Sequence, residues 1–403
     1  MTNLDKIVLQ NKQDKKISIA LMASFVILTI QFFVIIYFNL SGSNTNVLIQ
    51  FSSKILVGLA FLYALPVVIK RSLNTFFVIY FFSSFIFIIH YTFFPENRMF
   101  LNELIFPFFF MCLPAFIYSL SIRNFNILKK IMKLSSYLVF SFGSLLAISI
   151  FLGQKTLGTY SMALSYYILL PALLFLEDFF DNFSLKYFIL SIFSLFIILA
   201  LGSRGPILCV IAFSFFKILN PYLKKTKKRF FIQISLIFTG LSVFVFLEEI
   251  IMYIYIFLLK FNLNSRTIFL FFNEGIYLSG REKIYENVVI KIFENPLFGL
   301  GIAGDRRIAE GVYSHNFFIE IIANFGIIIG TFLCFSLLFI IFKTLASRNN
   351  ENYNFIVLWI SLGFVHLMVS GSYLIDLKFW IFLGITVNIL KYKKNKVKDE
   401  KND

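Results

Sequence analysis

Residues 314–342 read SHNFFIEIIANFGIIIGTFLCFSLLFIIF. A polar triplet, Ser314, His315 and Asn316, opens onto an apolar run long enough to cross the hydrocarbon core of a bilayer as a helix. Similar runs recur along the whole chain, which is 59% hydrophobic and only 14% charged over 403 residues. A water-soluble globule of this size could not cover its surface from so few polar groups. With no water in the hydrocarbon core, each run has to satisfy its own backbone hydrogen bonds, so the spacing predicts helices. The reading is therefore an all-α, polytopic integral membrane protein of about 12 transmembrane helices. These fall at 17–38, 47–69, 76–94, 100–120, 134–152, 160–176, 187–201, 206–220, 230–247, 317–342, 354–370 and 374–390.

The formal charge of +16 does not indicate nucleic acid, because most lysines and arginines lie in short loops between apolar runs, where they set topology. An inside N-terminus puts Lys12, Lys15, Lys16, Lys70, Arg71, Arg123, Lys129, Lys130, Lys133, Lys186, Lys217, Lys224, Lys225, Lys343 and the lysine-rich tail in the cytoplasm. The 177–186 loop is the weak case, being acidic. Cys112, Cys209 and Cys334 all fall in apolar runs, without metal-ligand spacing, and read as packing residues. Lys12, Lys15 and Lys16 lead into a full-length span with no cleavage site after it, which predicts no cleavable signal.

This orientation leaves Arg204, the 248–314 stretch and His315 on one external face. The stretch also holds Arg266, Arg281, Arg306 and Arg307, which depart from the positive-inside pattern. A loop of this length in a compact domain calls for a function. Its apolar segment 250–263 is short for a span and reads as re-entrant or interfacial. The organisation expected is N-terminal spans over 1–200, a core over 201–342 containing the external loop, and C-terminal spans with a basic tail over 343–403.

Several local patterns carry chemistry. Arg281, Ile284, Tyr285, Val288, Val289, Ile292 and Phe293 share one face of a helix over 281–294, which Asn295-Pro296 ends. A solvated arginine has no reason to begin an apolar face, so Arg281 either turns inward to a ligand or belongs to a helix lying passively on the bilayer surface. Gly299, Gly301 and Gly304 follow without a preceding strand and read as a tight turn, not a phosphate loop. Ser314 is placed to cap the next helix, which puts His315 in the first turn, where the helix dipole favours neutral imidazole and a nearby anion. Asn316, Glu320 and Asn324 make a polar stripe, and Gly326 and Gly330 allow close helix contact. A glutamate inside a span faces a cavity or a partner. Arg204 lies in Leu-Gly-Ser-Arg-Gly-Pro between two spans, where it is either a phosphate ligand or a snorkelling anchor. His90 and His366 lie in apolar runs without a second ligand and read as packing or locally hydrogen-bonded residues.

Three of these motifs, Gly202-Ser203-Arg204-Gly205, Gly280-Arg281 through Phe298-Gly299-Leu300-Gly301, and Ser314-His315-Asn316 through Gly326 and Gly330, come in an order that resembles the O-antigen ligase and O-antigen polymerase family. The specific likeness covers about residues 200–330. It implies a GT-C-like glycosyltransferase in the bacterial inner membrane with its active site on the external, periplasmic face. The donor would be a glycan on undecaprenyl diphosphate and the acceptor a second glycan. No metal and no cofactor are implied. On this likeness Arg204 and Arg281 bind the diphosphate, His315 is the catalytic base, and Asn316 and Glu320 contribute to substrate binding. Asn324 departs from the acidic residue that family members often carry before the Gly-x-x-x-Gly stretch. Polymerisation of repeat units into O-antigen or capsule is preferred, with a chain-length regulator and membrane lipids as further partners, because nothing marks a lipid-core acceptor. Ligation to a lipid core is the alternative. A flippase or secondary transporter is a more distant one; it would show two half-repeats with broken helices, and no such repeat is legible.

Overall fold

Proline and glycine decide where these helices bend. The computed structural model describes residues 2–40, 44–151, 162–201, 203, 205–222, 249, 252, 253, 256, 260, 281–346 and 350–399. Among the described residues there is no strand. The principal helices are Asn3–Tyr37, Asn44–Phe93, Arg98–Pro107, Leu113–Leu120, Phe125–Phe151, Met162–Asn182, Leu185–Ala200, Gly205–Ile218, Arg281–Glu294, Gly304–Ile308, Phe317–Leu345, Asn350–Gly363 and Leu377–Asp399. Among the described residues six stretches are long and apolar enough to cross a membrane, and the chain is an all-helical polytopic membrane protein.

The helices follow the hydropathy runs, with local breaks. The runs at 47–69 and 76–94 form one element that kinks at Ser72 (φ −148°, ψ 37°). The 100–120 run is two α-helices joined by a π-turn at Phe108–Cys112. Pro107 has no N–H and crowds the carbonyl one turn back, so the ladder slips there. The last two runs depart more. The helix expected over 354–370 stops at Gly363, and a 3₁₀ turn, Val365–Met368, leads into irregular chain up to Leu377. Gly363 lies so close to the Lys378 backbone that a Cβ would collide with it. The 230–247 run and most of 250–263 lie outside the described residues.

The core is a bundle around Asn350–Gly363, in which every residue from Tyr353 to Gly363 is buried. That helix packs against Leu377–Asp399 and Gly205–Ile218. Asn44–Phe93 lies at the rim, with only 6% of its most apolar window buried. Lipid is the natural cover for its exposed Phe77, Phe81, Phe82 and Phe85.

Polar clusters mark the two ends of the bundle. At one end the fully buried Asp14 accepts from Arg71 at 2.6 Å. Arg71 also donates to Gln13 Oε1 at 3.1 Å, the Ser121 carbonyl at 2.9 Å and the Gln10 carbonyl at 3.2 Å. Glu177 and Lys129 pair there at 2.8 Å, Asp178 and Lys133 at 2.6 Å, and Asp181 and Lys217 at 2.9 Å. The acidity of the 177–186 loop thus neutralises neighbouring lysines at the end where the basic loops gather. The other end, one span away along 73–93, carries His90, Asn97 and the residues of the candidate site.

The break at Gly326 is the decisive one. Phe317–Leu345 is interrupted at Gly326 (φ 78°, ψ 174°), a conformation open essentially only to glycine. The break frees the Ala323 carbonyl and the Ile327 amide. Leu300 N–H donates to the first at 2.6 Å and Ile327 N–H donates to the Pro296 carbonyl at 2.7 Å. Gly326 is therefore a hinge filled by the 296–300 turn, not the helix–helix contact expected from its spacing with Gly330. Gly299 (φ 68°) fits beneath it, where a Cβ would strike Ala323 O and Gly326 N. A Cβ on Gly326 itself would strike the Leu297 carbonyl. Gly326→Ala is expected to destabilise the protein by at least roughly 1–3 kcal/mol, the cost of one such backbone conformation. Thermal unfolding in detergent measures it, and a melting temperature equal to that of the unsubstituted protein would mean the break is not strained.

Candidate functional site

The glycine turn that fills the helix break also fixes the ceiling of the site. His90 Nδ1 accepts from Ile302 N–H at 3.0 Å, and the Asn97 carboxamide donates to the Leu300 carbonyl at 2.8 Å. Gly301 (φ 77°) lies against the Phe94 ring with no room for a side chain. His90 is thus the locally hydrogen-bonded residue that its apolar setting predicts. From this anchor the chain enters the short helix Gly304–Ile308, which buries Asp305 and Arg306. Arg307 pairs with Glu96 at 3.2 Å on the surface.

The expected amphipathic helix is present as Arg281–Glu294. Val288 and Ile292 are buried with Leu300 and Ala323, and Ile284 packs against them. Phe293, expected on this face, is instead 69% exposed, together with Ile290, Leu297 and Phe298. Those four make an apolar rim suited to lipid. Arg281 begins the buried face and is itself half-buried. Its Nη1 donates to the Val369 carbonyl.

His315 sits differently from its expected place. Asn316, not Ser314, caps the helix: its side-chain oxygen accepts from Phe318 N–H at 3.0 Å and Ile319 N–H at 3.2 Å. The Asn316 amide group donates to the Met368 carbonyl at 3.4 Å. Its carboxamide is thus occupied on both sides by the fold. Ser314 is fully buried and donates its N–H to Asp305 Oδ2 at 2.8 Å. His315 falls just before the helix in the left-handed region at φ 54°, which costs a residue with a Cβ about 1 kcal/mol or more. Its half-buried ring lies 4.3 Å, centre to centre, from the Tyr313 ring. Burial, with the Arg281 guanidinium nearby, holds its pKa down at about 4. The imidazole is therefore neutral at physiological pH, as a proton acceptor must be. Sequence reasoning assigned that neutrality to the helix dipole; burial and Arg281 are its causes here.

Glu320 is fully buried and faces the partner that its position in a span demands. Its two oxygens accept from Ser372 Oγ and, at 3.2 Å, from Tyr373 N–H. Ser372 in turn accepts from Arg306 Nη2 at 3.4 Å. Asn324, one turn on, donates to Tyr373 Oη at 2.8 Å. Glu320 and Asn324 hold the chain that enters the last helix, and both Glu320 oxygens are taken by that task. The segment they hold also supplies the carbonyls of Met368 and Val369 to Asn316 and Arg281. Further along it, Asp376 pairs with His366 at 2.8 Å and with Lys378 at 3.3 Å. Lys378 lies over the rings of Tyr166 and Tyr167, each at 5.3 Å. Gly205 packs against the Tyr166 hydroxyl, which leaves no room for a Cβ.

Arg281, His315, Asn316 and Glu320 are thus gathered at one end of the bundle. Arg204 lies outside the described residues; its neighbours Ser203 and Gly205 are described, and Ser203 is buried. Sequence reasoning passed over Asp305, Tyr313 and Ser372 and assigned Arg306 no part. Their one sequence signal is position: Asp305 and Arg306 directly follow the glycine turn, Tyr313 precedes Ser314, and Ser372 lies in the Gly-Ser break between the last two spans.

The comparisons with known proteins bear on this end of the molecule. Residues 189–335 match the family model described as O-antigen ligase. The match takes in Arg204, Arg281, His315, Glu320 and the Gly326 break, and it ends before the Met368–Asp376 segment that holds them. No curated protein matches the chain. Over residues 189–335 the chain is accordingly similar to the O-antigen ligase family, and the likeness extends over a little more than a third of its length.

Proposed function

We propose that the protein polymerises oligosaccharide repeat units carried on undecaprenyl diphosphate, at the external face of the bacterial inner membrane. The observation that carries the reading is a neutral, half-buried His315 beside the half-buried guanidinium of Arg281, at the end of the bundle away from the basic loops. His315 takes the proton of the acceptor hydroxyl. The hydroxyl oxygen forms a bond to the anomeric carbon of the donor as the bond from that carbon to the phosphate oxygen breaks. The diphosphate leaves with the bonding electron pair. Arg281 and Arg204 balance the charge that grows on it, in a setting where water screens little. Asn316 and Glu320 support the reaction by holding the helix start and the Ser372–Tyr373 chain in register.

Polymerase is preferred over ligase because no described feature marks a lipid-core acceptor. Transport is disfavoured by the break at Gly326, where the Ala323 carbonyl and the Ile327 amide are taken by the 296–300 turn instead of being left for an ion or solute.

His315→Ala is expected to lower glycan transfer on the order of 10²–10⁴-fold while the protein still inserts and binds the lipid-linked donor. Purified protein with a defined lipid-diphosphate donor and acceptor measures this, and near-normal turnover would require another base. Lysine at Arg281 or Arg204 should cost much of the activity, since a point charge does not reproduce the guanidinium fork. The same change at Arg98, which among the described residues bonds the Tyr91 carbonyl (3.0 Å) and lies over the Tyr91 ring (5.1 Å), should cost little. Equal tolerance at all three would reduce Arg204 and Arg281 to interface anchors.

Sidedness has its own test, which the three buried native cysteines leave clean. A cysteine at the exposed Glu310 should react with an impermeant maleimide added outside, and one at the exposed Lys186 should not. The reverse pattern would put His315 in the cytoplasm and end the proposal.

A further inference from the structure

Histidine bases are ordinarily held by a hydrogen bond from the second ring nitrogen to a carboxylate or carbonyl. His315 has none: its Nδ1 is buried and lacks a hydrogen-bond partner among the described residues. Nor is its backbone relaxed, since it sits at φ 54°. Among the described residues it is a ring contact, not a hydrogen bond, that holds this ring.

The contacts identify it. The Tyr313 ring lies 4.3 Å from the imidazole at an interplanar angle of 56°. Arg306 places its guanidinium over the same Tyr313 ring, 5.8 Å from its centre. Arg306 is itself unusual. It is 6% exposed, its Nε is buried without a partner, and its one side-chain hydrogen bond among the described residues is the long contact to Ser372. No described carboxylate pairs with it within ion-pair distance, although Asp305 and Glu320 are buried nearby. A buried guanidinium without a paired carboxylate is costly to keep, and the face of an aromatic ring is one of the few surfaces that compensates it.

We infer that Tyr313, backed by Arg306, is the positioning residue for His315, an aromatic clamp standing where other histidine bases have a carboxylate. The inference rests on the proposed role of His315 as base. The clamp does two things: the tilted ring packed against the imidazole restricts its rotation, and it covers one side of it from water. A carboxylate partner would stabilise imidazolium; the Tyr313 ring instead adds to the burial that, with Arg281, keeps the imidazole neutral. The other charged and titratable groups around Tyr313 and His315 are Arg281 from its own helix, Asp305 beside Arg306, Glu320 from the broken helix and Asp376 ahead of the last helix.

The test reads His315 directly, so it stands apart from the glycosyltransferase reading. Diethyl pyrocarbonate acylates neutral imidazole, and the chain has only three histidines, of which His90 and His366 are buried. Peptide mass spectrometry of the full-length protein in detergent, labelled across a pH series, gives the rate and the titration midpoint at His315. The unsubstituted protein should label slowly, with a midpoint near 4. Tyr313→Ala should label faster, with the midpoint moved toward the ordinary 6.5. Tyr313→Phe, which keeps the ring, should behave as the unsubstituted protein. Arg306→Met should shift His315 in the same direction as Tyr313→Ala, and Arg306→Lys should restore it in part; this pair tests the clamp without altering the ring, should Tyr313→Ala fail to insert. In the transfer assay Tyr313→Ala should lower kcat roughly 10–100-fold with little change in KM, the signature of a displaced catalytic group. Labelling at His315 that is unchanged in Tyr313→Ala and Arg306→Met overturns the inference. So does a Phe variant as perturbed as the Ala variant, which would make the hydroxyl the working part. If labelling shifts as expected while no variant, including the unsubstituted protein, transfers glycan, the clamp stands and the proposed reaction falls.

Discussion

Everything at the end of the bundle that carries the candidate site hangs on a pair of backbone hydrogen bonds. A helix broken inside a bilayer exposes a carbonyl and an amide that no water can reach, and each unmade bond there costs several kcal/mol. Leu300 and Pro296 supply the missing partners. That exchange locks a turn rich in glycine against the broken helix, and the lock has consequences in both directions along the chain. Upstream it fixes the C-terminal end of the Arg281 helix, because Asn295 and Pro296 belong to the same turn. Downstream it fixes Gly304–Ile308, and through Asp305 it fixes the amide of Ser314. The catalytic candidates on either side of the turn thus share one rigid reference.

A second scaffold comes from outside the family-matched stretch. The irregular chain between Gly363 and Leu377 lends its carbonyls to Arg281 and Asn316, and its Ser372 and Tyr373 to Glu320. A regular helix could not do this, since its carbonyls would already be spent on its own ladder. The early end of the Asn350–Gly363 helix is thus part of how the site is built. The fully buried Glu320 is best understood in the same way, as a brace whose two oxygens bind chain segments together.

Fold and site were legible to different degrees. Hydropathy marked the helices well because a bilayer leaves the backbone so few choices, and the amphipathic face of 281–294 could be read from Arg281, Val288 and Ile292 alone. The break at Gly326 could not. In sequence, Gly326 and Gly330 have the spacing of a helix-contact motif, and only the turn at 296–300, thirty residues upstream, decides that one of them is a hinge. The cap was misassigned for a related reason: Ser314 and Asn316 are both good caps, and the choice between them depends on Asp305 having already claimed the Ser314 amide. Tyr313 and Arg306 escaped notice because an aromatic and an arginine in a connecting loop have no periodicity to mark them. The clamp they form exists only through contacts in three dimensions.

The left-handed backbone at residue 315 sets this protein's stability against its chemistry. Glycine would occupy that conformation without the steric cost that any Cβ incurs, and the buried, unpartnered Nδ1 would vanish with the ring. A chain shaped for folding alone would therefore carry glycine there. A laboratory search for heat-resistant variants would have reason to replace this residue, and under the role proposed for His315 that gain would come at the expense of glycan transfer.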